Sequence, residues 1–496
     1  MAIRAQFESL SDSELQELLP VLQQSDLQSA IKVISLIAER QFNLANWDAA
    51  LVWTEKLYDL GLESELFSVV AQSCLDIANI LVKKSKRTEA LKKYEEASHW
   101  FERENLEFDL IWTAIWHFNC LIDLNLATDA IQVGKKAFEI SKITEFFFES
   151  GLLALMIAET YFAEITTNLN RELYVAEKMA LEYAEEALIC FQNCGNPRRE
   201  SKALSLISAI LEFSGKYSNA LNYLDDAIEI LTSLSDKCDS DIENLAWLLI
   251  KKSRLIGKTN ARDTDEEAAP LLTALELLEN LENGYLLGRT MMHLGLHANC
   301  MKRHEAALIY FNQAEDIFIS LENVSWVTQT YFGKADALWF LGRNEESLDV
   351  CYQILQRSME IDEPLVGFTI KLAALNLEDL ENWSEMLEVL NKMDAIVDSL
   401  DLNQISDLEY LRCVAMFKLG MDEDATQKLN SIVHFIGTHE DSFGLANALL
   451  LHGDLVKEQD PDLARIEWSQ AFEIWAKYNE STSEDVKNLK RERLAD

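Results

Sequence analysis

The chain is poor in the residues that interrupt helices. Among its 496 residues only 5 are proline and 16 are glycine. Runs in which valine, isoleucine and threonine alternate with polar residues, which are typical of strands, are also scarce. These absences predict an all-α protein. Because hydrophobic residues make up 49% of the chain, it has enough apolar surface to form a core, and global disorder is not expected.

Positive charge is the second feature in short supply. The chain has 44 lysines and arginines against 84 aspartates and glutamates, which gives a formal net charge of −40. This field would repel a phosphate backbone, so we do not expect a nucleic-acid partner. Solubility is the simplest explanation of the acidity. A partner with a basic patch or a basic peptide is the functional alternative.

Motifs of targeting, redox chemistry and catalysis are missing as well. None of the 8 cysteines forms a CxxC pair, which predicts buried free thiols in a reducing compartment. The N-terminal residues lack the apolar core of a signal peptide, and no run approaches the roughly 18 apolar residues of a membrane span. We find no GxSxG, P-loop or HExxH motif. We therefore expect a cytoplasmic protein that is not an enzyme and has no cofactor.

A helical hairpin with a period of about 40 residues dominates what is present. A small residue is followed four positions later by an apolar residue and seven positions later by a small or apolar one. We call the first residue of each triplet the index residue. The clear index residues are Ala50, Ala90, Ala130, Ala180, Ala220, Ala307, Ser347, Met386, Ala425 and Ala464. A degenerate unit lies near Ala268. Stacked hairpins bury apolar faces that one hairpin cannot bury alone.

Departures from the period locate insertions and ends. The steps from Ala130 to Ala180 and from Ala220 to Ala268 are longer than the others, and they place insertions at 166–174, 233–244 and 258–267. Ser11 begins a Ser-x-x-Glu capping signal, and Pro20 should bend or end the helix that follows. We predict an N-terminal capping helix in 1–28, a repeat solenoid in 29–480 and a polar tail in 481–496.

The hairpin at Gly284–Asn323 shows the pattern most clearly. Leu294-Gly295 is joined through the polar corner MKRHE to Ala307, Phe311 and Ala314. This combination resembles the tetratricopeptide repeat, and the likeness covers about Ala30 to Tyr478. The period exceeds the family's length of about 34 residues, and most units lack its closing proline. Long hairpins of this kind are similar to those of kinesin light chain and of helical sensor domains in bacterial regulators.

The resemblance implies an all-α fold, an α-α superhelix of about 11–12 hairpins. In this family the first helices line a concave groove that binds peptides or protein segments and rarely catalyses a reaction. Counting from the index residues places ten candidates for partner binding on or near that groove. They are Trp112, Trp116, Asn119, Arg254, Arg289, His293, His297, Cys300, Gln329 and Asp336.

Two groups of these candidates have alternative interpretations. Trp112 and Trp116 lie four residues apart and are either peptide anchors or core aromatics, since the small residue expected near Phe118 is missing. Arg254 belongs to a basic group with Lys251, Lys252 and Lys258. Such a group can bind a carboxylate or phosphate or can complement a helix terminus.

A histidine–cysteine stripe raises the question of a metal. His293, His297, Cys300 and His304 would share one face of an unbroken helix, a spacing that suits zinc. The corner MKRHE predicts that His304 instead opens the second helix. We therefore expect groove-lining polar residues and no metal site.

The leading hypothesis is a non-enzymatic scaffold or adaptor that binds a protein or peptide partner in its groove. The alternative is a ligand-sensing regulator whose superhelix changes shape and acts on an output partner in trans. The register makes one cheap prediction. Gly295→Leu should cost about 1–3 kcal/mol by overpacking, whereas Arg289→Ala should leave stability nearly unchanged.

Overall fold

The structure is a computed structural model. It describes residues 7–167, 173–259, 265–279, 281, 283–357, 363–400, 402–437, 443–457, 460–477, 490 and 493. Within these ranges the chain forms 23 α-helices and three short 3₁₀ segments, with no strand. The all-α class predicted from the sequence is confirmed.

One capping helix precedes a series of hairpins. α1 is Asp12–Ser25. The others are α2 (Leu27–Asn43), α3 (Trp47–Glu63), α4 (Phe67–Lys83), α5 (Arg87–Arg103), α6 (Glu107–Asp123), α7 (Ala127–Ile143), α8 (Phe147–Thr167), α9 (Leu173–Asn193), α10 (Pro197–Phe213), α11 (Tyr217–Ser233), α12 (Asp239–Thr259), α13 (Ala268–Leu278), α14 (Gly284–Cys300), α15 (His304–Ser320), α16 (Val324–Phe340), α17 (Asn344–Gln356), α18 (Glu363–Asp379), α19 (Trp383–Asn391), α20 (Leu402–Lys418), α21 (Asp422–Gly437), α22 (Phe443–Val456) and α23 (Pro461–Lys477). Even-numbered helices are the first helices of the hairpins and odd-numbered helices from α3 onward are the second.

The helices form two compact units, Met1–Asp241 and Ile242–Asp496. Within each unit, first helices contact each other as well as their own second helices. In the first unit α6 contacts α4 and α8, and α8 contacts α10; in the second, α14, α16, α18, α20 and α22 contact one another in sequence. The outward sides of these helices therefore form a surface in each unit, which we call the first-helix face.

The repeat period follows from the corner geometry. Helices of equal length, such as α2, α3, α4 and α5, alternate with short corners, so that two helices and two corners account for the period of about 40 residues. Most corners contain a residue with positive φ, which recurs after each successive helix at Ala45, Glu65, Ser85, Asn105, Asn125 and Glu145. At the first corner the Ala45 N–H donates to Phe42 O and the Asn46 N–H donates to Gln41 O. This pair of hydrogen bonds is the Schellman motif, which satisfies carbonyls at a helix end.

The index triplets form the core, as the sequence pattern predicts. Every triplet member whose side chain the structure describes is buried. In α13 the buried residues are Pro270, Leu271, Ala274 and Leu278. Leu271 and Ala274 match the second and third members of a triplet, which places Glu267 at the index position, one residue before Ala268. A carboxylate therefore occupies a place that the clear triplets mostly give to a small residue.

A large–small contact holds the hairpins together. A Cβ added to Gly295 of α14 would lie 2.7 Å from Phe311 Cε1 of α15, and one added to Gly333 of α16 would lie 2.6 Å from Phe311 Cζ. In α6 and α7 the two sizes are exchanged, because Phe118 occupies the place of Gly295, and Gly134 that of Phe311. A Cβ at Gly134 would lie 2.9 Å from Phe118. The small residue missing near Phe118 is thus supplied by the opposite helix.

Several local expectations can be compared with the structure. The Ser11 capping box is confirmed, and α1 continues through Pro20 to Ser25. Loop was expected over 233–244, but α12 already begins at Asp239. Residues 168–172 and 260–264, in two of the predicted insertions, and nearly all of the polar tail lie outside the described residues.

The burial of the cysteines and the position of the corner after α14 were also predicted from the sequence. Five cysteines are buried, but Cys194, Cys238 and Cys300 are exposed, so the expectation of burial fails at these three. His304 opens α15 as predicted. Among the described residues, no helix combines the length and the apolar character that crossing a bilayer requires.

Candidate functional site

Seven of the ten sequence candidates occupy three repeat positions of the first helices. We define these face positions by Trp112 (first), Trp116 (second) and Asn119 (third) of α6, counted back from the index residue Ala130. Relative to their own index residues, Arg289 and His293 of α14 take the first two, and Gln329 and Asp336 of α16 take the first and third. All seven are exposed or half-buried, whereas the index triplets are buried. The face positions therefore carry side chains that are less buried than those of the index triplets.

The most distinctive arrangement surrounds Arg289 on the first-helix face of the second unit. Its guanidinium carbon Cζ lies 4.1 Å from the ring centroid of Trp247 in α12 and 4.7 Å from that of Trp326 in α16. Tyr285, one turn earlier in α14, is 5.7 Å away. Three neighbouring first helices thus place aromatic rings around one cation, an attraction worth about 0.5–2 kcal/mol at each well-placed ring. We call Trp247, Tyr285, Arg289 and Trp326 the Arg289 cluster.

The packing of Arg289 leaves part of its hydrogen-bonding capacity unused. Its Nε is buried and has no hydrogen-bond partner among the described residues. Burial also lowers the pKa of the guanidinium below its ordinary value. The side chain nevertheless stays charged, since the unperturbed pKa of arginine lies above about 12. A buried donor without a partner is costly, so this site is less well satisfied than the core of the hairpins.

His293 lies one turn after Arg289, and its surroundings shift the pKa of its imidazole. Burial, together with the positive charges of Arg289 and Arg254, lowers its pKa to about 4. Its imidazole is therefore neutral at neutral pH. Arg254 and Lys251 of α12 add positive charge near the cluster, and the Lys251 ammonium is 5.5 Å from the Trp247 ring.

In the tryptophan pair of the first unit, one residue fits the interpretation as a core aromatic and the other is accessible to a partner. Trp112 is half-buried and packs against the hydrophobic core, with its ring 6.4 Å from that of Phe108. Trp116 is 47% exposed. Asn119 lines an open cavity of about 860 Å³ together with Met156 and Glu159. Trp112 is thus largely a packing residue, whereas Trp116 and Asn119 are accessible.

The remaining candidates are scattered. His297 is only 5% exposed and its Nδ1 lies 3.4 Å from Glu267 Oε2, so it belongs to the packing against the segment before α13. Cys300 is exposed at the end of α14. Gln329 is exposed, and Asp336 accepts a 2.7 Å hydrogen bond from Asn299. No group of three or more possible metal ligands was found in the part of the chain that is described.

Three residues of the Arg289 cluster were not among the sequence candidates. Trp247, Tyr285 and Trp326 lie about one repeat apart on successive first helices. The recurrence of aromatic residues at that interval is the sequence signal that could have identified these three residues. The sequence register alone did not identify it because the degenerate unit around Glu267 hides the relation of Trp247 to its neighbours.

No protein-family model matches the chain, and no curated protein matches it. Solved structures with a similar helical arrangement include the apo form of RapI, which is 13% identical with a TM-score of 0.44 over 83% of this chain and 98% of that one. A Rap protein in complex with competence and sporulation factor is 14% identical with a TM-score of 0.38, over 79% of this chain and 98% of that one.

A further similar structure is a Pyrococcus horikoshii signal transduction ATPase with numerous domains, which has a tetratricopeptide repeat sensor. It is 13% identical with a TM-score of 0.48, and the match covers 81% of this chain and 54% of that one. Identities and TM-scores at this level are too low for a function to be transferred to this chain.

Proposed function

We propose that this chain is a non-enzymatic scaffold or adaptor that binds a protein or peptide partner on the first-helix face. In this role it is a regulatory or structural subunit of a larger complex. The observation that carries the proposal is the Arg289 cluster. There, an arginine lies against the rings of two tryptophans from neighbouring first helices, and its Nε has no hydrogen-bond partner among the described residues.

The residue types of the cluster support partner binding. Tryptophan, tyrosine and arginine are the residues that most often dominate the energy of protein interfaces. Exposed side chains at the same repeat positions elsewhere, such as Trp116 in α6 and Gln329 in α16, extend the proposed surface within each unit. Trp116 and Gln329 are exposed and lie outside the index triplets and the glycine–phenylalanine contacts, whereas Trp326 also packs against the core beside Phe318.

Site-specific photocrosslinking tests where a partner binds. A photoreactive amino acid is placed at Gln329, on the first-helix face, and in a matched variant at Ile309, which is 60% exposed on the second helix α15. Each variant is exposed to native extract, and the crosslinked protein is identified, purified and mixed with the unmodified chain. We expect a stoichiometric complex and a crosslink from Gln329 only. A partner that crosslinks from Ile309 and not from Gln329 would refute binding at the first-helix face.

A further inference from the structure

The chemistry of the Arg289 cluster also restricts what kind of group it can accept. We propose, on the basis of the partner-binding function above, that the cluster receives a single carboxylate of an otherwise apolar or basic peptide segment. The carboxylate pairs with the guanidinium of Arg289, and the flanking peptide side chains lie against Trp247, Tyr285 and Trp326.

The geometry of Arg289 favours a planar anion. The ring centroids of Trp247 and Trp326, from the first helices on either side of α14 in the chain, lie 4.1 and 4.7 Å from its Cζ. The edge of the guanidinium is what remains for hydrogen bonding. Arginine donates through this edge in a fork that matches a carboxylate. Because the indoles hold the side chain in place, little of its conformational freedom is left to lose on binding.

The surrounding charges favour one negative charge over several. Arg289, Arg254 and Lys251 are cationic, but His293 remains neutral at neutral pH and adds no charge. The whole chain carries a formal charge of −40, and repulsion between charges is screened only beyond about 8–10 Å. A polyacidic segment would extend past these cations onto the rest of an acidic chain, where like charges repel it. A phosphate, with a charge of about −1.5 to −2, is the alternative anion that the phosphoserine peptide below tests.

The rest of the segment is expected to be apolar or basic for two reasons. The three aromatic rings offer apolar contact area next to the guanidinium. Across the chain, acidic residues outnumber basic ones nearly two to one, 84 against 44. Basic residues farther from the carboxylate in the peptide would thus be attracted to the acidic remainder of the chain.

Selection of displayed short random peptides on the full chain provides the probe. Peptides that bind are then synthesised with their acidic residue as glutamate, glutamine or phosphoserine, and with the C-terminus free or amidated. These arms distinguish a side-chain carboxylate from a terminal one. We expect neutralising the one essential carboxylate to weaken binding about tenfold or more, as for a charged hydrogen bond.

Arg289→Met removes the guanidinium but retains an unbranched stem between the indoles. This variant should bind the glutamate peptide only as tightly as the glutamine form, so that the difference in affinity between the two peptides disappears. Arg289→Lys keeps the charge without the fork and should recover only part of the affinity. Arg343→Met is the matched control, since Arg343 pairs with Glu346 at a corner; it should bind all peptides like the parent chain. Circular dichroism checks that each variant is folded.

The outcomes separate this inference from the proposed function. If Arg289→Met binds the peptides as tightly as the parent while a bulky Gln329→Trp variant does not, the first-helix face binds peptide but the Arg289 carboxylate site is wrong. If binding peptides are insensitive to both variants, or none is selected, the proposed function itself fails. A preference for phosphoserine over glutamate overturns the choice of carboxylate. If glutamate and glutamine peptides bind equally well with every C-terminus amidated, the inference that the cluster binds an anion is wrong.

Discussion

Asp76 in the first unit and His293 in the second occupy the same repeat position, the second face position counted back from Ala90 and Ala307 respectively. Both are half-buried on first helices, and burial shifts their pKa values in opposite directions. The pKa of Asp76 rises to about 6, with the charge of Glu39 as a further cause, while that of His293 falls to about 4. One structural position thus carries partly buried ionisable groups of opposite type in the two units.

The core beneath these residues differs much less. The contact between Gly295 and Phe311 recurs between Gly134 and Phe118 with the sizes exchanged. Core positions therefore keep a complementary pair of volumes, whereas the first-helix face changes charge and size freely. This contrast is consistent with our proposal that the face, and not the hairpin packing, carries the specificity of the protein. The four predictions below are ordered from the largest expected effect to the smallest.

The equivalence of the two exchanged contacts predicts equal costs for removing either phenylalanine. Phe311→Ala and Phe118→Ala should each lower the free energy of unfolding by about 3–5 kcal/mol, because both rings are almost fully buried and their removal leaves a cavity. Urea unfolding followed by circular dichroism, with hydrogen exchange to locate the change, measures this. Ile309→Ala, at an exposed position, is the control. A cost below about 1 kcal/mol at one of the two phenylalanines would break the equivalence.

Gly295→Leu tests the small side of the same contact. Its Cβ alone would lie 2.7 Å from Phe311, so the variant should lose about 1–3 kcal/mol from overpacking. The double variant Gly295→Phe/Phe311→Gly restores one large and one small residue, as in α6 and α7. It should be more stable than the sum of the two single costs predicts. Strict additivity in this double-mutant cycle would show that the two residues do not act as a pair.

The opposite pKa shifts predict opposite responses to acid. The native state holds the His293 proton more weakly than the unfolded state does, so this residue lowers stability as pH falls from about 6.5 to about 4. Asp76 binds its proton more tightly in the native state, so between about 6 and 3.8 it raises stability as pH falls.

Matched variants isolate these two contributions. Relative to the parent, His293→Gln should lose less stability on acidification and Asp76→Asn should lose more, each by about 3 kcal/mol at most. Urea midpoints measured at several pH values for the parent and both variants give the result. Parallel pH profiles for all three proteins would remove the contrast between the two units.

Arg289→Ala should have the smallest effect on stability. The sequence register led us to expect almost none, but the side chain is held between two indoles. We now expect a cost of about 1 kcal/mol from the lost cation–π and stem packing. Gln329→Ala, at the equivalent exposed position of α16, should change stability by less than about 0.5 kcal/mol. Thermal unfolding of both variants checks this, and a larger cost at Gln329 would contradict the shared register.

The hairpins could be predicted from the sequence because their packing repeats. Ala307, Phe311 and Ala314 lie on one helical stripe, and an equivalent stripe recurs in the second helix of each clear hairpin. The core could therefore be predicted from the sequence alone. The register failed by one residue at Glu267, where a carboxylate replaces the small index residue and the periodic signal is lost.

The site was predictable only in part. Arg289 and His293 stand out on one helix because the repeat does not require them. Their partners Trp247 and Trp326 come from neighbouring hairpins, and their approach to Arg289 depends on how three first helices pack. His297 shows the reverse error, because helical spacing alone could not reveal that its ring turns toward Glu267.

Hydrogen–deuterium exchange of the full chain, with and without a selected peptide or crosslinked partner, tests the central claim most directly. If the first-helix face around Arg289 is the binding surface, protection should be concentrated in α12, α14 and α16, and it should disappear in Arg289→Met at the same ligand concentration. Protection confined to second helices such as α15 and α17, and unchanged in Arg289→Met, would contradict the account.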